Sequence, residues 1–318
     1  MNNILAGLSK PFFALAPMDD VTDSVFRQII ASCVKPDLFI TEFVNVDGLQ
    51  SPGKPKLIHK LQFTKAEKPI FAQVWGKLPD NYLKTAEELV AMGFDGVDIN
   101  MGCPDKKVVR NGCCSALINN RALAAEIITA TKSGTAGKIP VSVKMRTGLE
   151  QVDLSWPQFI LEQKVDLLTV HGRTTKEMTK VPSNWEDIAK VRKLRDQIAP
   201  KTLIIGNGDV ISRAQGEALA VKYRLDGIMI GRGIFNNPYV FAKQNNWDHL
   251  NRAQKLKLYK KHIKLFIQTW DKQPKNFQML KKFAKIYING FANASELRSE
   301  LVRKQTVEEM LEVLNKAI

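Results

Sequence analysis

Cys103 is the residue whose neighbours best suit it to chemistry. It stands in the run Asp98-Ile99-Asn100-Met101-Gly102-Cys103-Pro104-Asp105-Lys106-Lys107-Val108. The apolar stretch 96–100 reads as a strand, and the Gly-Cys-Pro turn that stops it carries a thiol to the strand's surface end. In parallel α/β folds the carboxyl ends of strands carry the chemistry. A thiol there, followed by Lys106 and Lys107, suits a reactive group facing an anionic substrate. The same residues would equally serve a small side chain buried in a tight turn.

Polar groups close other apolar runs in the same way. One run ends in Ala16-Pro17-Met18-Asp19 and another in Gln73-Val74-Trp75-Gly76. Later runs carry Lys144-Met145-Arg146-Thr147-Gly148, His171-Gly172-Arg173-Thr174, Gly206-Asn207-Gly208-Asp209 and Gly231-Arg232-Gly233. The glycines of the last two leave backbone N–H groups open to a phosphate, and Arg232 adds a charge-assisted contact. Gln73, Lys144 and His171 are then placed to hydrogen-bond a planar heterocycle. Singly, each has a plainer role: a capped strand end, a buried ion pair, a satisfied core histidine. Their coincidence at one end of six strands carries the functional reading.

The elements that must position these residues follow a regular beat. Apolar, often β-branched runs cover 12–16, 38–41, 70–74, 96–100, 141–145, 167–171, 203–206 and 227–230. Helical patterns lie between several of them, at 23–32, 81–92, 121–132, 185–195 and 212–222. Eight strands with intervening helices predict a (β/α)8 TIM barrel over residues 1–244. A doubly wound sheet is the alternative, but no GxGxxG follows the first strand. The stretch after Gly148 is short for a βα unit, so the fifth helix is expected to be abbreviated.

After Phe241 the beat changes. Leu256, Tyr259, Ile263, Phe266 and Trp270 recur at helical spacing, as do Phe277, Leu280, Ala284 and Tyr287. Thr306-x-x-Glu309 reads as a capping box opening a last helix. Residues 245–318 are therefore read as a small helical bundle whose aromatic side chains form its core.

Charge separates the two parts. The chain has 318 residues, 44% of them hydrophobic, a net charge of +15 and a pI near 9.6. Residues 245–318 hold 15 Lys/Arg against 7 Asp/Glu, and residues 255–285 hold ten lysines against the single acid Asp271. That imbalance exceeds what solubility needs and favours a nucleic-acid partner over a merely solvated face. Lys281, Lys282 and Lys285 are the candidate phosphate contacts. No run of 18 apolar residues occurs, so no membrane span is expected. The first ten residues lack a charged segment before an apolar core, so no signal peptide is expected. Cys33, Cys103, Cys113 and Cys114 form no CxxC pair, which fits a reducing cytoplasm and argues against a zinc site.

In these segments the chain resembles the FMN-dependent tRNA-dihydrouridine synthase family. The matching residues are Ala16-Pro17-Met18 with Val21-Thr22-Asp23, Thr41-Glu42-Phe43, Gln73-Val74-Trp75-Gly76, the Asn100-x-Gly102-Cys103-Pro104 motif, Val143 to Gly148, His171 to Thr174, Gly206 to Asp209 and Gly231 to Gly233. The cysteine motif is the specific one; the glycine pairs are shared with many flavin barrels. The resemblance implies FMN across the barrel mouth. Ala16, Pro17, Met18, Gln73, Lys144 and His171 would contact its ring or ribityl chain, and Asn207, Gly208, Asp209, Gly231 and Arg232 would lie at its phosphate. Cys103 would be the general acid. Asn100, Lys144 and Arg173 would reach uracil or a nearby phosphate, and Lys106 and Lys107 the RNA backbone. Reduced FMN, recharged by NADPH or NADH, would give hydride to C6 of a tRNA uridine while Cys103 protonates C5. A thiol of ordinary pKa, about 8.5, is mostly protonated at neutral pH and suits that task. A monomer without metal is expected.

The chain departs from the family at Cys113-Cys114, where small residues are usual; both are expected to be packing residues. Two rival readings stay open: a small-molecule flavin barrel of the dihydroorotate or dihydropyrimidine type, and a non-catalytic RNA-binding protein that has kept the barrel.

Overall fold

The first strand, β1 (Phe12–Leu15), buries both of its faces. Phe12 and Ala14 pack inside with Ile40, Phe71, Leu167, Ile205 and Met229, while Phe13 and Leu15 join the outer core with Val25 and Phe26. Strands buried on both faces read as continuous apolar runs, which is why these segments showed so little alternation. The computed structural model describes residues 4–244, 246–271 and 275–318. Met1 and Asn245, which open the two expected regions, and Lys272 of the lysine run lie outside them.

After β1 come α1 (Ser24–Val34), β2 (Phe39–Ile40), β3 (Val44–Asn45), α2 (Val46–Leu49), β4 (Ile70–Trp75), α3 (Pro79–Ala91), β5 (Gly96–Met101) and α4 (Lys106–Arg110). Then follow α5 (Arg121–Thr135), β6 (Val141–Arg146), α6 (Ser155–Glu162), β7 (Leu167–His171), α7 (Trp185–Ile198), β8 (Leu203–Asn207), α8 (Arg213–Tyr223) and β9 (Gly227–Ile230). All ladders are parallel, in the order β1-β9-β8-β7-β6-β5-β4-β2. A bridge between Ala14 and Leu38, with Leu15 N–H donating to the Leu38 carbonyl at 3.1 Å, closes the ring. The expected (β/α)8 barrel is therefore present, and α6 is the abbreviated helix.

The second barrel strand departs from the expected 38–41. It breaks at Thr41, whose hydroxyl accepts the Gln73 N–H at 3.0 Å in place of a ladder bond, and resumes as β3 against Val74 and Trp75. The break turns Phe43 toward the barrel mouth.

Four helices end the described chain: α9 (Arg252–Trp270), α10 (Gln278–Tyr287), α11 (Ala294–Arg303) and α12 (Val307–Ala317). Asn251 and Gln254 cap α9 reciprocally. The box expected at Thr306 is only half formed: Thr306 Oγ1 accepts the Glu309 N–H at 3.2 Å, but the Glu309 carboxylate takes the Gln305 N–H. Leu256, Tyr259, Ile263, Phe266 and Trp270 are buried, as the helical spacing predicted. Phe283 stacks on Phe26 of α1 at 5.1 Å, so the bundle shares its core with the barrel's outer helices. α10 packs beside the Arg232–Phe235 turn that follows β9, bringing the bundle to the barrel rim. Among the described residues no helix is long and apolar enough to cross a membrane.

Candidate active site

The carboxyl ends of the strands surround a cavity of about 550 Å³. Most of the barrel residues singled out in the sequence line it: Cys103 and Asn100 after and within β5, Gln73 on β4, Lys144 on β6, His171 and Arg173 at β7, Asn207, Gly208 and Asp209 at β8, Gly231 and Arg232 after β9, and Ala16, Pro17 and Met18 after β1. Lys106 and Lys107 do not line it; they are exposed on the first turn of α4, which Asp105 caps.

A chain of hydrogen bonds fixes the inward polar side chains. Strand register places Gln73 beside Asp98, Asp98 beside Ser142 and Asn100 beside Lys144. Ser142 Oγ donates to Asp98 Oδ1 at 2.5 Å and Gln73 Nε2 to Asp98 Oδ2 at 2.6 Å. Asn100 Nδ2 then donates to Gln73 Oε1 at 3.0 Å, and Asn100 Oδ1 accepts the Gly102 and Cys103 N–H groups, each at 3.0 Å. Asp98 thus decides which way both amides point, and through Asn100 it sets the backbone that holds Cys103. Burial raises the Asp98 pKa, against the hydrogen bonds from Gln73 and Ser142 and the charge of Lys144.

Lys144 opens onto the cavity and has neither a hydrogen-bond nor an ion-pair partner among the described residues. Burial, then the charge of Arg146, lowers its pKa to about 8 despite Asp98 and Cys103 nearby. His171 is held well below its ordinary pKa by burial and by the charges of Lys144, Arg146, Arg173 and Arg232, so it is neutral. Arg173 Nη1 lies 3.1 Å from His171 Nε2. A guanidinium only donates, so Nε2 accepts and Nδ1 carries the hydrogen.

Arg173, expected to reach uracil or a nearby phosphate, is engaged on all sides. It is 3% exposed, donates from Nε to the Val181 carbonyl at 2.6 Å, and pairs through Nη2 with Asp209. Asp209 also accepts the Ser183 N–H at 2.9 Å and pairs with Arg232 at 3.0 Å. Burial alone would raise the Asp209 carboxyl, but the hydrogen bonds from Arg173 and Ser183 and the two arginine charges hold it below the usual range. Asp209 therefore clamps Arg232 rather than offering a donor to an anion.

The cradle beside that clamp is backbone. Gly208 has φ +134°, and a Cβ there would sit 2.0 Å from Ser183 Oγ. The N–H groups of Gly208, Asp209, Val210, Gly231 and Arg232 have no acceptor among the described residues. Five such donors with Arg232 beside them suit a phosphate.

Sequence reasoning missed Arg146. It is 5% exposed, lines the cavity, and donates to the carbonyls of Gly102 at 2.9 Å, Thr174 at 3.0 Å and Met178 at 3.1 Å. It thereby ties the Cys103 loop to the loop after β7. Burial and the charge of Arg173 lower its pKa to about 10. The signal was there: a polar residue two positions after Lys144 points the same way along a strand.

Cys103 is not an ordinary thiol. A hydrogen bond from the Cys114 thiol lowers its pKa to about 7, outweighing burial, with help from the Asp105 N–H and the Arg146 charge. Its pKa thus lies below the ordinary thiol value on which the expectation of a mostly protonated acid was based. Cys113 and Cys114 are both buried, as expected of packing residues.

Nearby, Asp19, Asp20 and Glu42 bring carboxylate oxygens within 4.8 Å of one another. Lys60 pairs with Asp19, and Lys275 lies 4.0 Å from Glu42, so lysines balance the cluster.

The lysines of the tail divide into two kinds. Lys255 is 6% exposed over the Trp247 ring, and Lys275 bridges to Asp23 and Glu42 of the barrel. Lys257, Lys261 and Lys264 are exposed along one face of α9. On α10, Lys285 is exposed, Lys281 half-buried, and Lys282 donates to the Asp20 carbonyl at the rim.

A family profile described as dihydrouridine synthase matches residues 14–318. A probable tRNA-dihydrouridine synthase of Staphylococcus aureus strain COL is 43% identical over 316 residues, covering 98% of this chain and 95% of that protein. Probable tRNA-dihydrouridine synthase 2 of Bacillus subtilis strain 168 is also 43% identical over 316 residues, covering 98% of this chain and 96% of its own. Among solved structures, histamine dehydrogenase from Rhizobium sp. 4-9 superposes with a TM-score of 0.56 at 11% identity, over 81% of this chain and 49% of that one. A 2-naphthoyl-CoA reductase gives 0.55 at 11%, over 73% and 49%. At such identity these two structures speak for the barrel fold alone.

Proposed function

The chain belongs to the dihydrouridine synthase family, and on that premise we propose that it reduces uridine to 5,6-dihydrouridine in tRNA, with FMN held in the barrel mouth and Cys103 as proton donor. The observation that carries the reading is one cavity that joins a thiol, an unpaired lysine, a neutral histidine and a backbone phosphate cradle.

The cradle supports the cofactor. The free N–H groups after β8 and β9, with Arg232, would take its phosphate, while Gln73, Lys144 and His171 would meet its polar ring edge beside Ala16, Pro17 and Met18. A reduced flavin bound there would supply hydride, with NADPH or NADH as the outside reductant.

The protein's own groups do the rest. Uracil's C5=C6 bond is conjugated with its C4 carbonyl, so negative charge gathers at C5 and O4 as C6 is reduced. Cys103, on a loop fixed by Asn100 and Arg146, delivers the proton that C5 needs. Lys144 opposes the developing charge, and Asn100 keeps one amide face toward the mouth. The Asp209 clamp orients Arg232, and Arg173 acts through it and through His171.

A uridine must leave its stack to enter the cavity, which costs a few kcal/mol and calls for binding energy elsewhere on the RNA. Residues 245–318 are read as the unit that supplies it, through Lys281, Lys282 and Lys285 at the rim, with Lys106 and Lys107 across the mouth. The barrel, residues 1–244, is then the catalytic unit. The protein is read as a cytoplasmic monomer.

Mass-spectrometric mapping of tRNA tests this. Deleting the gene should remove dihydrouridine from defined positions, and the wild-type gene but not Cys103→Ala should restore it. Unchanged dihydrouridine in the deletion strain overturns the proposal.

A further inference from the structure

Four side chains on three strands form a directed chain of hydrogen bonds at the cavity wall. Asp98 and Asn100 share one face of β5, because alternate residues of a strand point the same way. Gln73 of β4 and Ser142 of β6 stand beside Asp98 in register. Asp98, Gln73 and Ser142 are wholly buried, and Asn100 is 7% exposed where it lines the cavity. The two ends of a primary amide are nearly equal in size, so its partners alone decide which way round it lies. Here both ends of the chain agree. The Gly102 and Cys103 N–H groups can only donate, so Asn100 turns Oδ1 to them and Nδ2 to Gln73 Oε1. Gln73 then has only Nε2 to give its other neighbour, which must accept, and Asp98 Oδ2 does so at 2.6 Å.

The bookkeeping of donors leaves Asn100 one capacity. Both lone pairs of Oδ1 and one Nδ2 hydrogen are in use, so a single N–H remains and nothing with which to accept. That hydrogen has no acceptor among the described residues. We propose that Asp98 is a positioning residue for pyrimidine recognition: by accepting from Gln73 it holds Asn100 so that the cavity meets an N–H, which takes O4 of uracil and rejects the amino group of cytosine. The proposal rests on reading the site as that of a dihydrouridine synthase with Cys103 as proton donor.

Two arguments favour it. Asp98 has no ion-pair partner among the described residues, and a carboxylate buried without one is costly. An apolar side chain would fill the same space without that cost, so what the position needs is an acceptor on each side, one for Gln73 and one for the Ser142 hydroxyl. The second argument fixes the ligand atom. Asn100 holds the Cys103 N–H, and Cys103 must reach C5. C4 is bonded to C5, whereas O2 lies across the ring, so the carbonyl beside Asn100 is at C4. An N–H there faces the oxygen on which charge gathers as C6 is reduced. Cytosine carries an amine at C4, so two donors would meet and the Asn100 N–H would be left unpaired.

Unmodified tRNA transcripts with uridine or cytidine at the target position test this, by competition binding to the flavin-loaded protein and by single-turnover reduction per bound flavin. Wild type should bind the uridine transcript roughly 10–100-fold more tightly, the worth of a buried donor left unpaired. Asp98→Leu should lose most of that preference and reduce uridine more slowly. Asp98→Val, which a strand accepts readily, repeats the test should the leucine variant fail to fold. Asp98→Asn should keep the preference. Its Oδ1 can still accept from Gln73 while its Nδ2 donates to Ser142, whose hydroxyl has the Val97 carbonyl at 3.4 Å as its other acceptor. In wild type, 4-thiouridine at the target should bind less tightly than uridine, because sulfur is the weaker acceptor, and 2-thiouridine should not. Undiminished preference in Asp98→Leu or Asp98→Val, with uridine reduced by wild type, overturns the role of Asp98 alone. Asp98→Asn as poor as Asp98→Leu also overturns it, since the charge and not the direction of the bond would then matter. Failure of wild type to reduce the uridine transcript overturns the dihydrouridine reading and this proposal with it.

Discussion

The barrel mouth and the helical tail are both rich in positive charge but hold it in opposite ways. At the mouth, Arg146 and Arg173 are almost wholly buried; Arg146 ties the loop after β5 to the loop after β7, and Arg173 ties the loop after β7 to Asp209 after β8. On the tail, Lys257, Lys261, Lys264 and Lys285 stand in solvent. Buried charges act by position, because their field is little screened and their geometry is set. Exposed ones act in number and are weakened by salt. On the proposed function, the difference would separate a region that serves one reaction from a region that holds a polyanion, and each variant below should disturb one and spare the other.

The largest effect is expected from Cys103→Ala. Uridine reduction should slow by roughly 10²–10⁴-fold, the usual worth of a positioned general acid. Flavin content and tRNA affinity should hold, since neither the cradle nor the tail is touched. Single-turnover reduction of tRNA by pre-reduced enzyme reads the rate, and filter binding reads the affinity. Loss of tRNA affinity in this variant would erase the separation.

A smaller effect is expected from Gly208→Ala. The substitution puts a Cβ at φ +134° and 2.0 Å from Ser183 Oγ. Strain of roughly 1–3 kcal/mol should weaken flavin binding by about 5–150-fold. Absorbance per chain measures this, and the flavin released from wild type on denaturation should be FMN. Release of FAD alone, or full occupancy in the variant, would remove the phosphate from this cradle.

The contrast also explains what could be read from sequence. The strand ends were legible because polar residues that interrupt apolar runs stand out, and each of the six runs sends at least one residue into one cavity. Contacts distant along the chain were not. Nothing in the pattern shows that Lys275 reaches Asp23 and Glu42, or that Asp209 spends its carboxylate on two arginines. Ser115 reaches the Cys103 carbonyl beside a left-handed turn at Cys114, and a pair of adjacent cysteines carries no sign of that turn. The break in the second barrel strand depends on a side chain, Thr41, competing with the ladder. The lysine run was legible as charge but not as surface: Lys255 and Lys275 are spent on packing.

On the tail, changing Lys281, Lys282 and Lys285 together to Gln should flatten the plot of log tRNA affinity against log salt. The expected change is roughly 0.7–0.9 of a slope unit per true phosphate contact. Lys282 already donates to Asp20, so it should contribute least. The matching triple variant of Lys257, Lys261 and Lys264 sharpens the test, because those residues share one face of α9. An unchanged slope in the α10 variant with a flattened one in the α9 variant would move the docking surface away from the rim. Flavin content should be unaltered in both.

The smallest effect is one of stability, and it concerns the mouth alone. Lys144 has no hydrogen-bond or ion-pair partner among the described residues, and its folded pKa of about 8 lies below its ordinary 10.5. Between those values the unfolded chain binds more protons than the folded one, so this group's contribution to stability rises with pH from about 8 to 10.5. Below pH 8 its charge is a standing cost to the flavin-free protein. Lys144→Met should therefore stabilise that form at pH 7, by of order 1–3 kcal/mol, and the gap from wild type should close as pH rises through that window. Urea unfolding at a series of pH values measures it. Reduction of uridine should fall in the same variant, because the cation that opposes the developing charge is gone. A variant less stable than wild type at pH 7 would mean that Lys144 has a compensating partner in solution. The mouth would then hold this charge at no cost, and the contrast with the tail would rest on Arg146 and Arg173 alone.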